Sequence, residues 1–302
     1  MKKIAVIGSG TMGNGITHLF SQNGFQVVMI DIVPGALEKG LQTITKNLDR
    51  QVTKGIITGD SREKTLHNIR TSTQIAESEG VDLAIEAVTE NPEIKLGIFG
   101  QLDQIVPPGA ILASNTSSIS ITKIASATNR PGQVIGMHFM NPVPVMKLIE
   151  VIRGYKTTSD TTRIICDLVK QLGKVPVEVN DYPGFISNRI LMPMINEAIE
   201  SLFHSIAGVE EIDTVMKLGM AHPMGPLRLA DFIGLDVCLA ILNVLHEGLG
   251  NPKYAPCPLL INMVAAGNLG VKSGEGFYSY RENAKEPAPA ARFRNGNLAT
   301  SV

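Results

Sequence analysis

The chain has 302 residues, of which 44% are hydrophobic and 18% are charged, and its formal net charge is -1. This length and hydrophobic fraction predict a soluble globular protein of about two domains. The near-neutral charge argues against nucleic-acid binding and against a membrane surface as a partner, and no run approaches the ~18 consecutive apolar residues of a membrane span. Three cysteines without a CxxC pair indicate reduced thiols and a cytoplasmic or similarly reducing compartment.

The first thirty residues follow a strand–helix–strand pattern. The apolar run at residues 4–7 predicts a buried parallel strand, and a helix is predicted to run to about Gln22. Between them lies the sequence Gly8-Ser9-Gly10-Thr11-Met12-Gly13. Glycines at this spacing permit a tight turn, close approach of the backbone to a pyrophosphate, and close helix–strand packing. The pattern predicts a Rossmann-type fold in which residues 8–13 bind the phosphates of a dinucleotide at a helix N-terminus.

Asp31 ends the second predicted strand and indicates which cofactor is bound. A carboxylate at this position accepts hydrogen bonds from the adenosine ribose hydroxyls and repels a 2′-phosphate. Ile32 and Val33 follow it, so no arginine is placed to bind that phosphate. The sequence therefore predicts NAD as the cofactor rather than NADP.

Strands and helices continue to alternate along the first half of the chain. Helices are predicted at 34–54 and 92–105, and strands at 82–88 and 111–113. Glu90, Asn115 and Ser117 follow the ends of these two strands. Because ligands of open α/β sheets bind beyond the carboxyl ends of the strands, these side chains are expected beside the nicotinamide and the substrate.

His138 and Glu150 lie on the next two predicted strands, 134–139 and 147–153. Antiparallel pairing of these strands could place the carboxylate beside the imidazole. A lone histidine in a strand is more often structural, but a nucleotide-binding fold and nearby polar groups favour a general base. His138 would then take the proton of a hydroxyl that loses hydride to NAD, Glu150 would fix the histidine tautomer, and Ser117 would hydrogen-bond the substrate oxygen.

From Pro183 the pattern becomes helical, with helices predicted after Pro183-Gly184 and at 209–218, 227–249 and 258–266. The predicted fold is therefore an α/β Rossmann-type doubly wound sheet followed by an all-α domain. Its predicted parts are an NAD-binding domain at 1–182, a helical substrate and dimerisation domain at 183–280, and a flexible tail at 281–302. The apolar content of the helical part indicates subunit contacts, and no HExxH motif or Cys/His cluster predicts a metal site.

Several separate segments resemble one enzyme family. They are GSGTMGNGI at 8–16, ASNTSSISIT at 113–122, GMHFMNPVPVMKLIEVI at 136–152, PGFISNRILMPMINEA at 183–198 and KSGEGFY at 272–278. In these segments the chain resembles the 3-hydroxyacyl-CoA dehydrogenases, especially the bacterial members that act on 3-hydroxybutyryl-CoA. The resemblance implies NAD-dependent interconversion of (S)-3-hydroxyacyl-CoA and 3-oxoacyl-CoA by a homodimer, in fatty-acid β-oxidation or butanoate metabolism.

The resemblance also implies roles for individual residues. The catalytic set would be His138, Glu150, Ser117 and Asn188; the NAD contacts would include Glu90, Lys95, Asn115, Ser117, Asn141 and Lys272; and Asn47 and Lys54 would contact the CoA portion. Asn188 would bind a substrate carbonyl from the second domain, so that the catalytic group forms one wall of a cleft between two domains. The i, i+4, i+8 spacing of Lys46, Arg50 and Lys54 puts three positive charges on one helical face. For Lys46 and Arg50 it remains open whether they contact CoA or belong to an ordinary solvated surface.

Two other functions compete with this one. The chain could oxidise a small 3-hydroxy acid without CoA, or it could be a non-enzymatic structural member of the family. The segment around Lys54 argues against the first alternative, and the intact set of Ser117, His138, Glu150 and Asn188 argues against the second. The acyl chain length and the physiological direction are not predicted by the sequence.

Overall fold

The computed structural model describes residues 1–280 and 286–294. Contacts between residues divide the chain into two compact units, Met1–Phe185 and a second that begins at Ile186. The sequence predicts this boundary at residue 182. Each unit has its own hydrophobic core.

The first unit is built on an eight-stranded sheet. Its strands are β1 (Lys3–Ile7), β2 (Gln26–Ile30), β3 (Ile69–Ser72), β4 (Leu83–Glu86), β5 (Ile111–Ser114), β6 (Val134–Phe139), β7 (Leu148–Arg153) and β8 (Val175–Asn180). Their order is β3-β2-β1-β4-β5-β6-β7-β8; β1 to β6 are parallel, whereas β7 runs antiparallel to β6 and β8 runs parallel to β7. The strand order reverses direction between β1 and β4, which is where a doubly wound sheet binds its ligand.

Helices cover both faces of this sheet, as the sequence predicts. They are α1 (Thr11–Gln22), α2 (Pro34–Thr53), α3 (Gly59–His67), α4 (Pro92–Ile105), α5 (Ile121–Ala125) and α6 (Ser159–Gln171). On one face α1 and α6 contribute Phe20 and Ile165 to a buried cluster, and on the other face α4 and α5 contribute Phe99 and Ile124. The predicted Rossmann-type fold is confirmed.

The second unit is helical, and its helices are α7 (Ser187–Phe203), α8 (Val209–Thr214), α9 (Pro226–Ile233), α10 (Leu235–Leu249) and α11 (Pro258–Ala265). The stretch predicted as helical at 227–249 forms two helices, because Gly234 adopts a φ of 104° and separates α9 from α10. These two helices are bent by 97° relative to each other. The helix predicted at 209–218 is α-helical only to Thr214 and continues as a π-helical turn, Val215–Gly219.

The flexible tail predicted from residue 281 is corrected for residues 286–294. In this segment β10 (Ala288–Pro289) pairs antiparallel with β9 (Tyr278–Ser279), and the Phe293 ring lies 5.9 Å from that of Phe277, centroid to centroid. Ala290 and Phe293 are buried in the helical core. A two-residue strand and two buried side chains are too few to produce a periodic pattern of apolar residues in this segment. The composition of the segment therefore predicts a flexible tail. Residues 281–285 and 295–302 lie outside the described residues.

In the described ranges, no single helix is long and apolar enough to cross a membrane, and only the bent pair of α9 and α10 meets that criterion by length and composition together. Within residues 1–280 and 286–294 there is also no group of three or more His, Cys, Asp or Glu suited to a metal ion. Cys166, Cys238 and Cys257 are free thiols. Burial raises the pKa of Cys238 to about 12 and that of Cys257 to about 11, so both remain protonated at neutral pH.

His18 in α1 couples the stability of the first unit to pH. Its side chain is 1% exposed, and burial lowers the pKa of its imidazole from 6.5 to about 4, against a smaller upward effect of a hydrogen bond with Gln22. The unfolded chain therefore takes up a proton near pH 6.5, whereas the folded protein does not do so until about pH 4. The stability contributed by this group is present above pH 6.5 and is lost as the pH falls towards 4.

We expect His18 to account for a loss of about 2 kcal/mol in the free energy of unfolding between pH 7 and pH 5. Urea unfolding at these two pH values checks this, and the His18→Gln variant should lose that part of the pH dependence. His67 is an exposed histidine of the same unit, so His67→Gln serves as the matched control and should keep the wild-type dependence. An equal pH dependence in wild type and His18→Gln would contradict the prediction.

Candidate active site

The glycines of the loop between β1 and α1 serve two different purposes. Gly8 has a φ of 101°, and a Cβ added there would lie 2.6 Å from the carbonyl oxygen of Ala87. A Cβ on Gly13 would lie 1.9 Å from the carbonyl oxygen of Gly8. These two glycines are therefore required by the packing of the protein itself. A Cβ on Gly10, by contrast, would meet nothing within 4 Å among the described residues, so the space beside it is open to a ligand.

That open space lies at the N-terminus of α1. Gly10 is the N-cap residue and carries no side chain to bind the first N–H groups of the helix, which therefore face the space together with the positive end of the helix dipole. A cavity of about 440 Å³ opens here, and Gly10, Lys39, Asn47 and Asn141 are among the residues that line it. The residues present thus fit the pyrophosphate of a dinucleotide.

Asp31 is held beside this loop by the residues around it. Its Oδ2 accepts hydrogen bonds of 2.8 Å from the backbone N–H and from the hydroxyl of Ser9, and its Oδ1 accepts one of 3.0 Å from the N–H of Val33. A carboxylate has about four acceptor positions, so Asp31 retains capacity to accept from a ribose hydroxyl. Ser9 therefore orients Asp31, the carboxylate from which the sequence predicts NAD rather than NADP.

Glu90 organises the loop that carries Ser117. Its Oε1 lies within 3.3 Å of five donors, which are the N–H groups of Ser117 and Ser118 and the hydroxyls of Thr116, Ser117 and Ser118. Its Oε2 lies 3.3 Å from Nζ of Lys95. Burial raises the pKa of Glu90, but the Lys95 charge and the hydrogen bonds from residues 116–118 outweigh burial, and the net pKa is below the ordinary value. Glu90 is therefore ionised at neutral pH and holds this loop in place.

Asn115 connects the end of β5 to the strand that carries His138. Its side-chain Oδ1 accepts a 3.0 Å hydrogen bond from the backbone N–H of Phe139, and its backbone N–H donates to the backbone carbonyl of Glu86. With Oδ1 engaged, the amide presents Nδ2 as the group that can donate to a ligand. Asn115 is thus fixed at the carboxyl edge of the sheet.

The predicted antiparallel pairing of β6 and β7 is confirmed, and it places His138 directly opposite Glu150. Nδ1 of His138 lies 2.7 Å from Oε2 of Glu150, whose side chain is buried. An ionised carboxylate only accepts hydrogen bonds, so this contact is satisfied by the tautomer with the proton on Nδ1, in which the lone pair of a neutral imidazole lies on Nε2. The imidazole is 12% exposed, and the Phe185 ring packs near it at 5.9 Å between centroids. This is the arrangement of a histidine prepared to accept a proton at Nε2.

The remaining predicted site residues are Asn47, Lys54, Asn188 and Lys272. Asn47 on α2 lines the cavity beside Gly10, whereas Lys54 is exposed at the C-terminus of α2 and does not line it. In the second unit, Asn188 is buried in the first turn of α7, and Lys272 forms an ion pair with Asp236.

Sequence reasoning missed two residues of this region. Glu86 is a fully buried carboxylate at the end of β4, and its signal is a charge within the otherwise apolar run of residues 83–88. Phe185 is buried, has a φ of 50° and packs near His138. No sequence pattern indicates that packing, because the two residues are far apart in the chain.

A glycine-rich loop at a helix N-terminus and a carboxylate-paired imidazole at one edge of a doubly wound sheet are the features of an NAD-dependent dehydrogenase. Comparison with known proteins narrows that class to one family. Residues 3–182 match the model of the 3-hydroxyacyl-CoA dehydrogenase NAD binding domain, and residues 184–280 match the model of the C-terminal domain of the same enzyme. The chain therefore belongs to the 3-hydroxyacyl-CoA dehydrogenase family.

Similar proteins share this organisation over nearly their whole length. The chain is 56% identical over 278 residues to a probable 3-hydroxybutyryl-CoA dehydrogenase of Deinococcus radiodurans, which covers 92% of this chain and 100% of that protein. It is 43% identical to the mitochondrial hydroxyacyl-coenzyme A dehydrogenase of Homo sapiens, with 93% and 92% of the two chains covered. The crystal structure of (S)-3-hydroxybutyryl-CoA dehydrogenase from Ralstonia eutropha superposes with a TM-score of 0.91 at 48% identity, covering 93% of this chain and 100% of that one.

Proposed function

We propose that this dehydrogenase interconverts (S)-3-hydroxyacyl-CoA and 3-oxoacyl-CoA, with the short-chain pair 3-hydroxybutyryl-CoA and acetoacetyl-CoA as its substrates. The observation that carries the proposal is the His138–Glu150 pair, hydrogen-bonded at 2.7 Å beside the end of an NAD-binding sheet. Similar proteins carry the name 3-hydroxybutyryl-CoA dehydrogenase, and this supports the choice of substrate.

In the proposed mechanism, bound NAD supplies the hydride acceptor. Nε2 of His138 takes the proton of the substrate 3-hydroxyl as the hydride leaves the carbon that bears this hydroxyl. Glu150 stabilises the imidazolium that forms. Ser117 hydrogen-bonds the reacting oxygen, and Asn188 binds the thioester carbonyl. In the reverse direction the protonated His138 returns its proton to the 3-oxo oxygen.

The residues that would hold the cofactor divide into three sets. The backbone of residues 8–13, which are Gly8, Ser9, Gly10, Thr11, Met12 and Gly13, would bind the pyrophosphate, and Asp31 would bind the adenosine ribose. Further NAD contacts are proposed for Glu90, Lys95, Asn115, Ser117, Asn141 and Lys272. The open space at Gly10 and the fixed carboxylate of Asp31 support the first two assignments.

Asn47 and Lys54 are proposed to contact the CoA portion of the substrate, together with Ser117 and Asn188 at the acyl end. Lys54 lies exposed at the end of α2, on the side of the helix that also carries Lys46 and Arg50. Exposed positive charges of this kind suit the phosphates of CoA.

Reversing the charge of Lys54 should therefore raise KM for acetoacetyl-CoA severalfold, because a surface ion pair contributes up to about 1 kcal/mol. The KM for a truncated thioester that lacks the nucleotide should not change in Lys54→Glu. Steady-state kinetics with both substrates check this, and Lys64→Glu, at an exposed lysine of α3, is the matched charge reversal outside α2. Equal increases in KM for the two thioesters would remove Lys54 from the CoA site.

One assay tests the proposed function against its alternatives. NADH oxidation is followed first with acetoacetyl-CoA and then with free acetoacetate. Turnover with the thioester alone supports the proposal, turnover with the free acid supports a dehydrogenase without CoA, and the absence of turnover with both overturns an enzymatic role on these substrates. A series of acyl chain lengths, compared by kcat/KM, then defines the preferred substrate.

We further propose that the enzyme is a cytoplasmic homodimer that associates through its helical unit. Large apolar side chains are exposed there, namely Ile190, Ile206, Leu218, Met220 and Phe232. Exposed apolar surface of this kind marks contacts between subunits. Sedimentation equilibrium should report a dimer for wild type and a monomer for Leu218→Glu or Phe232→Glu, whereas a monomeric wild type would contradict the proposal.

A further inference from the structure

Glu86 is a charged residue in the interior of the first unit. It ends β4 between its register partners Ile7 on β1 and Ser114 on β5, and its side chain is 0% exposed. Oε1 accepts from Nζ of Lys95 at 2.6 Å and from the N–H of Val88 at 2.7 Å, while Oε2 accepts from the hydroxyl of Ser114 at 2.6 Å. A buried carboxylate is tolerated only when it is paired and hydrogen-bonded in this way.

Lys95 is the cation that this carboxylate binds, and it is equally buried. Its side chain is 1% exposed, and its ammonium lies 2.6 Å from Glu86, 3.3 Å from Oε2 of Glu90 and 3.5 Å from the carbonyl of Val88. Lys95 therefore sits between two carboxylates and lies closer to Glu86. The position of the ammonium relative to Glu90 is set by its shorter contact with Glu86.

Glu90 transmits that position to the serine loop. One of its oxygens faces Lys95, and the other receives all five hydrogen bonds from residues 116–118. A change in the Lys95 position alters how Glu90 is held and hence where the Ser117 hydroxyl lies. The chain of contacts from Glu86 to Ser117 is continuous and consists of charged or charge-assisted contacts, which are the stronger kind.

We propose that Glu86 is a positioning residue for the dehydrogenase reaction, acting through Lys95 and Glu90 to fix the Ser117 hydroxyl. This inference rests on the proposed role of Ser117 in binding the reacting oxygen. Glu86 touches neither substrate nor cofactor in this role; it keeps a second ion pair in place, and that pair keeps the loop in place.

A second buried ion pair of the same unit provides a matched control. Asp103 on α4 binds Arg130 at 2.7 Å and accepts two hydrogen bonds from Asn129. All of these partners belong to residues 129–130 and none to the serine loop. Neutralising Asp103 disturbs a buried ion pair and its stability without altering the contacts of Ser117.

The test compares Glu86→Gln with Asp103→Asn in the full-length enzyme. Glu86→Gln removes one of the two carboxylates that contact the ammonium of Lys95 in the described residues, and Glu90 is the other. Lys95 then moves towards Glu90, and the Glu90 side chain and the loop at residues 116–118 shift with it. We expect kcat with acetoacetyl-CoA to fall about 10- to 100-fold, since small displacements of reacting groups have effects of this size. Because Lys95, Glu90 and Ser117 are themselves proposed NAD contacts, the dissociation constant of NADH is measured for each variant by its fluorescence, and kcat is compared at saturating NADH. Asp103→Asn should lower the unfolding midpoint but keep the wild-type kcat.

A double-mutant comparison separates positioning from a general loss of structure. If Glu86 acts through Ser117, Glu86→Gln lowers kcat much less in a Ser117→Ala background than in wild type. The conservative variant Glu86→Asp keeps the charge and should recover part of the kcat, which also serves if Glu86→Gln does not fold. Wild-type kcat in both Glu86 variants, or an equal fold loss with and without Ser117, would overturn the inference. Failure of the proposed function is seen separately, as a wild-type enzyme that does not oxidise NADH with acetoacetyl-CoA.

Discussion

Replacing His138 with alanine is expected to lower kcat with acetoacetyl-CoA by about 10²–10⁴-fold, because general acid–base catalysis has effects of this size. In the proposed mechanism the imidazole transfers the proton at Nε2, and the contact of Nδ1 with the buried Glu150 holds the ring in the tautomer that this role requires. NADH should still bind with nearly the wild-type dissociation constant, since the phosphate loop and Asp31 are not altered. Stopped-flow kinetics and NADH fluorescence measure the two effects separately.

The matched control for this variant is His67→Ala, an exposed histidine at the end of α3. It should leave kcat and NADH binding at their wild-type values. Turnover of His138→Ala within a few-fold of wild type would remove His138 as the proton-transferring group. A loss of NADH binding equal to the loss of kcat would instead show that His138 supports the cofactor site rather than the chemistry.

Gly10→Ala is expected to weaken NADH binding with little loss of stability, whereas Gly13→Ala is expected to destabilise the fold. Gly10 has a φ of -60° and a ψ of -168°, which alanine adopts without strain, and its Cβ would meet no described residue within 4 Å. Gly10→Ala should therefore change the free energy of unfolding by no more than about 1 kcal/mol, yet weaken NADH binding about tenfold or more because the methyl group occupies the space of the pyrophosphate.

A Cβ at Gly13 would lie 1.9 Å from the backbone oxygen of Gly8, so the start of α1 must move away from the loop. Gly13→Ala should destabilise the first unit by about 3 kcal/mol, the upper end of the usual cost of overpacking, because the atom that the new Cβ meets belongs to the backbone. Urea unfolding and NADH titration of both variants check the contrast. Equal NADH affinity in Gly10→Ala and wild type would show that the open space beside Gly10 does not receive the cofactor.

Much of the first unit was predictable because its signals are local. The apolar strands, the glycine loop and Asp31 lie within one stretch of about thirty residues, in which each element restricts the next. The pairing of His138 with Glu150 was also accessible, since their strands are adjacent in sequence and an antiparallel connection brings them together. The roles of Asn188 and Lys272 came from resemblance rather than from any local pattern, and they remain predictions.

Other features could not be predicted because no local signal encodes them. Gly234 lies between the apolar residues Ile233 and Leu235 of a helical stretch, so periodicity predicts that the stretch is helical but not where it breaks into two helices. Residues 286–294 looked disordered because only Ala290 and Phe293 anchor them to a core formed by distant residues. Lys95 is assigned to NAD by the resemblance alone, and no local pattern indicates that it is buried between two carboxylates.

The fold class of the first unit, the NAD cofactor and the pairing of His138 with Glu150 follow from the sequence alone. These follow from residue types at fixed short spacings, and the backbone geometry of strands and helices converts such spacings directly into positions. The connected set formed by Glu86, Lys95 and Glu90, which ends at Ser117, is apparent only from the three-dimensional structure. Its members come from the end of β4, the loop after it, α4 and the loop after β5, and what brings them together is the packing of β1, β4 and β5 in a single sheet.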